Sequence, residues 1–223
     1  MLLDAIVEQV IRAVSGGIDT ADSRFDGSYI EDKIHEYRIL QLIASYNGTR
    51  YQAKSKFIHY SYYQQFEIGL IDQVQDVGTN YIKFPCPIPV NISDKVDGLS
   101  FVGNRRKNYS WSKIQSPEQV SQLVKLGLMD TNDIGYFYDG EFLRLYGNMD
   151  LETVHVEGVF QNPLDVPDFN PETDNYPMPD DAIPMMIEMM KRMEFNQMVQ
   201  TVPDYIADGV DTITNATLRN NKR

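Results

Sequence analysis

The spacing of apolar residues changes period twice along this chain, and that change restricts the fold more than any single motif. Near the N-terminus Leu3, Ile6, Val7, Val10, Ile11 and Val14 recur at intervals of three and four, which places them on one face of a helix. A second stretch with Tyr29 or Ile30, Ile34, Tyr37, Leu40 or Ile43, and Ala44 keeps that period. Asp26 or Ser28 caps its start and Asn47-Gly48 stops it. Gly16-Gly17 ends the first helix, because glycine accepts the left-handed backbone of a helix terminus. The two helices, joined by a loop of about ten residues, form a hairpin in which neither is stable alone.

From Thr49 the texture becomes β-like. Residues 57–63 and 80–84 are rich in aromatic and branched side chains, and the prolines at 85, 87 and 89 suit a strand's edge or exit. Residues 99–102 read as a short strand. Residues 136–138, Asp139-Gly140 and residues 141–146 form a hairpin, and residues 154–160 alternate as a further strand. Ser116-Pro117-Glu118 opens a short helix that runs through Leu126.

The period returns to that of a helix after a connector. Residues 161–179 hold five prolines, too many for a packed element. Asp180 or Asp181 then caps a third long helix, from Ala182 to about Gln200, with Pro184 tolerated in its first turn. Val202-Pro203-Asp204 stops it. The expected class is α+β, with the N-terminal hairpin and the C-terminal long helix packed together around a β-rich middle. The expected units are a helical hairpin at 1–48, a β-rich body at 49–160, the connector and returning helix at 161–200, and an extended arm at 201–223.

Charge and cysteine usage narrow the function classes. Lys and Arg number 20 against 32 Asp and Glu, a net charge of −12, which disfavours a groove for nucleic acid backbone. A single cysteine, Cys86 between Pro85 and Pro87, excludes an internal disulfide and a multi-cysteine metal site. It points to a reducing compartment, or to redox having no role. Asp4 and Glu8 interrupt the first apolar stretch, unlike a secretory signal. No stretch approaches the roughly 18 apolar residues of a membrane span.

No catalytic, cofactor or metal constellation is expected. His35, His59 and His155 lack a second ligand at metal spacing, and structural roles suit them better. Asp130, Asn132, Gly135 and Glu141 match four calcium-loop positions, but Ile134 occupies a ligand position and β residues surround the site. A turn before the hairpin explains the pattern. Arg105-Arg106-Lys107, beside Tyr109 and Trp111, suits an intermolecular contact better than single-stranded nucleic acid. Met185, Met189 and Met193 share one helix face, and Met186 and Met190 another. Methionine adapts to irregular surfaces, so this helix serves both the core against the hairpin and a subunit interface. Arg219, Lys222 and Arg223 give the C-terminus a basic tip.

Two runs carry a family likeness. Ser23-Arg24-Phe25-Asp26, Tyr29-Ile30 and Ile34-His35-Glu36-Tyr37-Arg38 form the first. Tyr176-Pro177-Met178-Pro179-Asp180-Asp181-Ala182-Ile183-Pro184 with Met185-Met186-Ile187, leading to Asp208-Gly209, form the second. Together they resemble head-to-tail connector proteins of tailed bacteriophages, of the crAss-like type. The resemblance implies a non-enzymatic virion ring at the head–tail junction, made in the bacterial host cytoplasm and assembled from about twelve copies. It implies contacts with the portal protein and other connector or tail rings, with DNA passing through unbound and no membrane involved. A tail-tube gatekeeper ring of a short-tailed phage shares this layout, and a glycan-acting hydrolase is the alternative from another class. Interface residues expected on this basis are Met185, Met189, Met193, Arg105, Arg106, Lys107, Arg219, Lys222 and Arg223.

Overall fold

A computed structural model of the chain describes residues 1–15, 26–52, 58–69, 72–76, 79–93, 96–104, 110–127, 134–147 and 153–195. Three helices make one layer. Helix α1 (Leu3–Val14) turns Leu3, Ile6 and Val10 inward, as their spacing requires. Helix α2 (Gly27–Gln52) starts at Asp26, whose carboxylate accepts the Ser28 N–H at 3.1 Å, and it buries Ile30, Ile34, Tyr37, Leu42 and Tyr46. Contrary to expectation, Asn47-Gly48 does not stop it. Nothing lies within 4 Å of where a Gly48 side chain would sit. An exposed glycine inside a helix costs only about 1 kcal/mol, and buried Tyr46 holds the turn before it. The expected stop at Gly16-Gly17 lies outside the described residues.

The β-rich part opens later than the aromatic run suggests. Residues 60–62 form a 3₁₀ turn instead of a strand, because the His59 ring accepts the Ser61 N–H at 3.3 Å and the His59 carbonyl accepts the Tyr62 N–H at 3.1 Å. The strands are β1 (Gln64–Gly69), β2 (Asp72–Asp76), β3 (Thr79–Pro85), β4 (Asn91–Ser93) and β5 (Val96–Asp97), then β6 (Leu99–Gly103) and β7 (Ser112–Lys113). After helix α3 (Pro117–Lys125) come β8 (Gly135–Tyr138), β9 (Phe142–Tyr146) and β10 (Thr153–Gly158). They make a three-stranded sheet ordered β1-β10-β6, a five-stranded sheet ordered β2-β3-β9-β8-β7 and the pair β4-β5. All pairs are antiparallel except β7 with β8.

The two larger sheets share a core. Phe66, Ile68, Val102, Val154 and Val156 of the first meet Ile82, Phe84, Leu143 and Leu145 of the second. The second core lies in the helical layer and is closed from the β side by Val90, Ile92 and Val159. Where the cores adjoin, the backbone is crowded. A Cβ on Gly98 would stand 2.3 Å from the Val159 carbonyl oxygen, and one on Gly158 would stand 2.8 Å from the Gly98 oxygen. Only glycine fits there. The Val159 N–H then bonds to Gly98 O, and Val90 N–H to Val159 O, both at 2.8 Å.

The proline-rich connector is packed, which corrects the expectation of a segment without core contacts. Its last part buries Tyr176 and Met178 in the helical core, and Val166 joins the β core. Helix α4 (Ile183–Met190) follows, closed by a π-helical turn at Lys191–Phe195. Neither Asp180 nor Asp181 caps it. The Ala182 N–H bonds to the Pro179 carbonyl at 3.0 Å and Pro184 has no N–H, so few donors remain for a carboxylate. The expected continuation to Gln200 and the arm at 201–223 lie outside the described residues. Among the described residues, no helix is long and apolar enough to cross a membrane.

Candidate assembly surface

The two runs that carry the family likeness meet in space. Helix α2 and helix α4 run antiparallel, since Lys33 and Tyr37 reach Glu194 while Gln41, further along α2, reaches Met185 at the opposite end of α4. Between them and the connector sits Arg38, only 1% exposed. Its guanidinium donates to the carbonyls of Phe160, Gln161 at 3.4 Å and Pro177 at 3.2 Å, and it lies 5.8 Å from the centre of the Tyr176 ring. Burial pulls the Arg38 pKa below its ordinary value, with the Tyr176 and Tyr62 phenols opposing.

His35 completes this junction. Its Nδ1 lies 2.8 Å from the Tyr176 hydroxyl. Burial, helped by the Arg38 charge, holds its pKa down to about 4, with Asp32 opposing, so the ring is neutral at pH 7. Burial also pushes the Tyr176 phenol well up and the Tyr62 phenol to about 12. The effect of this arrangement is mechanical. Helix α2 grips the connector on both sides of its irregular stretch, and α4 is thereby placed against α2.

A second grip fixes the far end of α4. Glu194 accepts from Lys33 at 3.2 Å, from the Tyr37 hydroxyl at 3.3 Å and from the Tyr29 hydroxyl at 3.4 Å. Lys33 also bonds to Glu36 at 2.8 Å, and Glu36 first, then Glu194, raises its pKa. The π turn is what rotates Glu194 toward these donors while Phe195 enters the core.

Held in this way, α4 divides its methionines sharply. Met186 and Met190 are fully buried, whereas Met185 is 60% and Met193 64% exposed, with Met189 half-buried between them. Spacing of four residues makes these three an apolar row on the outer face. Beside it, Arg192 and Glu188 pair at 2.8 Å, so the polar groups along the row are already matched. An unbranched, flexible apolar row on a rigid helix is suited to packing against another surface.

The remaining expected site residues are distributed differently. Arg105, Arg106, Lys107, Arg219, Lys222 and Arg223 lie outside the described residues, as do Asp130 and Asn132 of the calcium-like pattern. Gly135 of that pattern opens strand β8 and Glu141 lies in the hairpin turn. Cys86 is buried, and burial pushes its thiol up to about 12. His59 stabilises the 3₁₀ turn, and His155 is buried within β10. The Arg38 junction escaped the sequence argument. Its signal was there, in His35, Arg38 and Gln41 repeating at three on an arc flanked by buried Ile34, Tyr37 and Leu42.

These features define an α+β body whose buried ionisable groups tie segments together and whose outer helix face carries an apolar row. The profile of the phage tail ring protein 2 family of crAss-like phages matches residues 5–208. The chain belongs to that family. Membership gives it a structural role in a phage tail ring and a place in the virion. No curated protein matches the chain.

Proposed function

We propose that this protein is a head-to-tail connector, a portal adaptor ring of about twelve identical copies through which DNA passes between capsid and tail. The family match over residues 5–208 carries this reading. The likeness of both family-like runs to connector proteins narrows it from tail ring to connector. The described chemistry supports a structural role over catalysis: His35 is neutral and enclosed, and the Cys86 thiol is buried and protonated. Ring neighbours include further copies of this chain, the portal and other rings. The net charge of −12 on each copy repels DNA and lets it slide without sticking.

Neighbouring copies meet, in this proposal, through the row Met185, Met189 and Met193. Replacing the two exposed members, Met185 and Met193, with Gln should abolish ring formation by light scattering and leave the melting temperature of the single subunit nearly unchanged, whereas Met189 also packs against the helical core. Met186→Gln should instead lower that temperature, since Met186 is fully buried. Reconstruction of the virion should show a closed ring with the portal's symmetry. Isolated spikes of this chain on the capsid would end the proposal.

A further inference from the structure

Met186, Met190 and Phe195 are all fully buried, yet their spacing is four residues and then five. An unbroken α-helix cannot bury all three along one line. With about 3.6 residues per turn, a residue nine positions on lies roughly half a turn away, so Phe195 would face opposite Met186. Glu194, four residues after Met190, would instead stand nearly in line with the two buried methionines. The π turn at Lys191–Phe195 takes up the extra residue. Phe195 thereby enters the core, and Glu194 stays at its edge, where Lys33, Tyr29 and Tyr37 receive it.

The same turn decides where Met193 points. In an unbroken helix Met193 would lie about 80° round from Met185, beside the line of Met186 at about 100°. Met193 is instead 64% exposed, close to the 60% of Met185, while Met186 is fully buried. The outer row keeps its third member because this turn is wound in the π form.

Two windings compete for residues 191–195. The α form has regular hydrogen bonds, but it drives a carboxylate toward the core and a phenylalanine into water. The π form has poorer helical geometry, but it pairs the carboxylate and buries the ring. The destination of residue 194 decides between them.

We propose that Glu194, seated on α2, is a register lock for the assembly surface. Held by Lys33, Tyr29 and Tyr37, it keeps the end of α4 in the π form and Met193 outward. This rests on the ring contact proposed above, and it gives α2 control over a row that α4 carries.

The test places a single reporter thiol in the full-length chain, with Cys86→Ala to remove the native one. Met193→Cys should react quickly with an aromatic disulfide reagent and Phe195→Cys slowly, as their exposures dictate. Glu194→Leu is then added to each. Leucine gains by lying in line with Met186 and Met190, so the turn rewinds to the α form. Labelling should slow severalfold at position 193 and accelerate by about tenfold or more at position 195. Glu194→Gln, which keeps the shape and loses the charge, should move both rates in the same senses by less. Unfolding accelerates both positions, so only a change of register gives opposite signs. Parallel changes at the two positions in both variants, or no change, overturn the inference. Glu194→Leu in the chain that keeps Met193 should also lose ring formation by light scattering, and a ring that survives the rewinding overturns the link to assembly. The labelling is read on the single subunit, so a parent chain that forms no ring would refute the connector proposal while the thiols alone judge the register.

Discussion

Arg38 is enclosed with carbonyls for company, so its removal leaves strong acceptors with nothing to replace their partner. Arg38→Met preserves length and apolar contact but strands the Phe160 and Pro177 oxygens. It should lower the unfolding free energy by about 3 kcal/mol in denaturant titrations, with Arg38→Lys falling between, because an ammonium cannot span both carbonyls. Equal stability of Arg38→Met and the parent would show that the junction adds nothing. His35 beside it makes stability depend on pH. Its folded pKa of about 4 lies below the ordinary value of 6.5. Above pH 6.5 both folded and unfolded chains hold it neutral, and it contributes nothing to the pH dependence. As pH falls below that value the unfolded chain takes up a proton that the fold refuses, so stability drops, by on the order of 3 kcal/mol near pH 4. His35→Gln removes this component. The stability difference between parent and variant should shift in the variant's favour between pH 7 and pH 4.5, and a constant difference would contradict the assignment.

At the scale of elements, two glycines make opposite predictions. Gly48→Ala should stabilise α2 by about 0.5–1 kcal/mol, since its side chain would project into open space. Gly98→Ala should cost about 3 kcal/mol or more, because the new methyl must displace backbone at the crossing with Val159. Thermal melts of the two variants read both signs directly. The same pair explains what was legible in advance. The α1 periodicity, the cap at Asp26 and the hairpin of β8 and β9 follow from local rules, and all three appear in the fold. Gly48 carried a stop signal that no tertiary contact enforced. Residues 57–63 had strand composition, but the His59 side chain bonded its own backbone two residues on. Strands β1 and β2 were not foreseen, and β4 and β5 are too short to show a period. The Met row was legible as two helix faces. Which face points outward depended on the position of α2, and spacing along α4 says nothing about that.

For the whole molecule, the described residues that line the two larger cores run from Leu3 to Phe195. Deletion of residues 201–223 should leave the melting temperature of the single subunit nearly unchanged while preventing assembly, if that segment reaches a neighbour or the portal as its small polar composition and basic tip suggest. Unfolding of the truncated subunit would place the segment in the subunit's own core instead. The connector has a different relation to the body. Its two ends, at Phe160 and at Pro177, are gripped by one side chain of α2, and the turn between Asn170 and Asp174 lies exposed between them. A protease that nicks the chain at that turn would produce two fragments that stay together, with α4 still seated on α2. The break would appear on a denaturing gel and not in the mass of the native particle, so a virion could tolerate cleavage at this loop without losing the subunit.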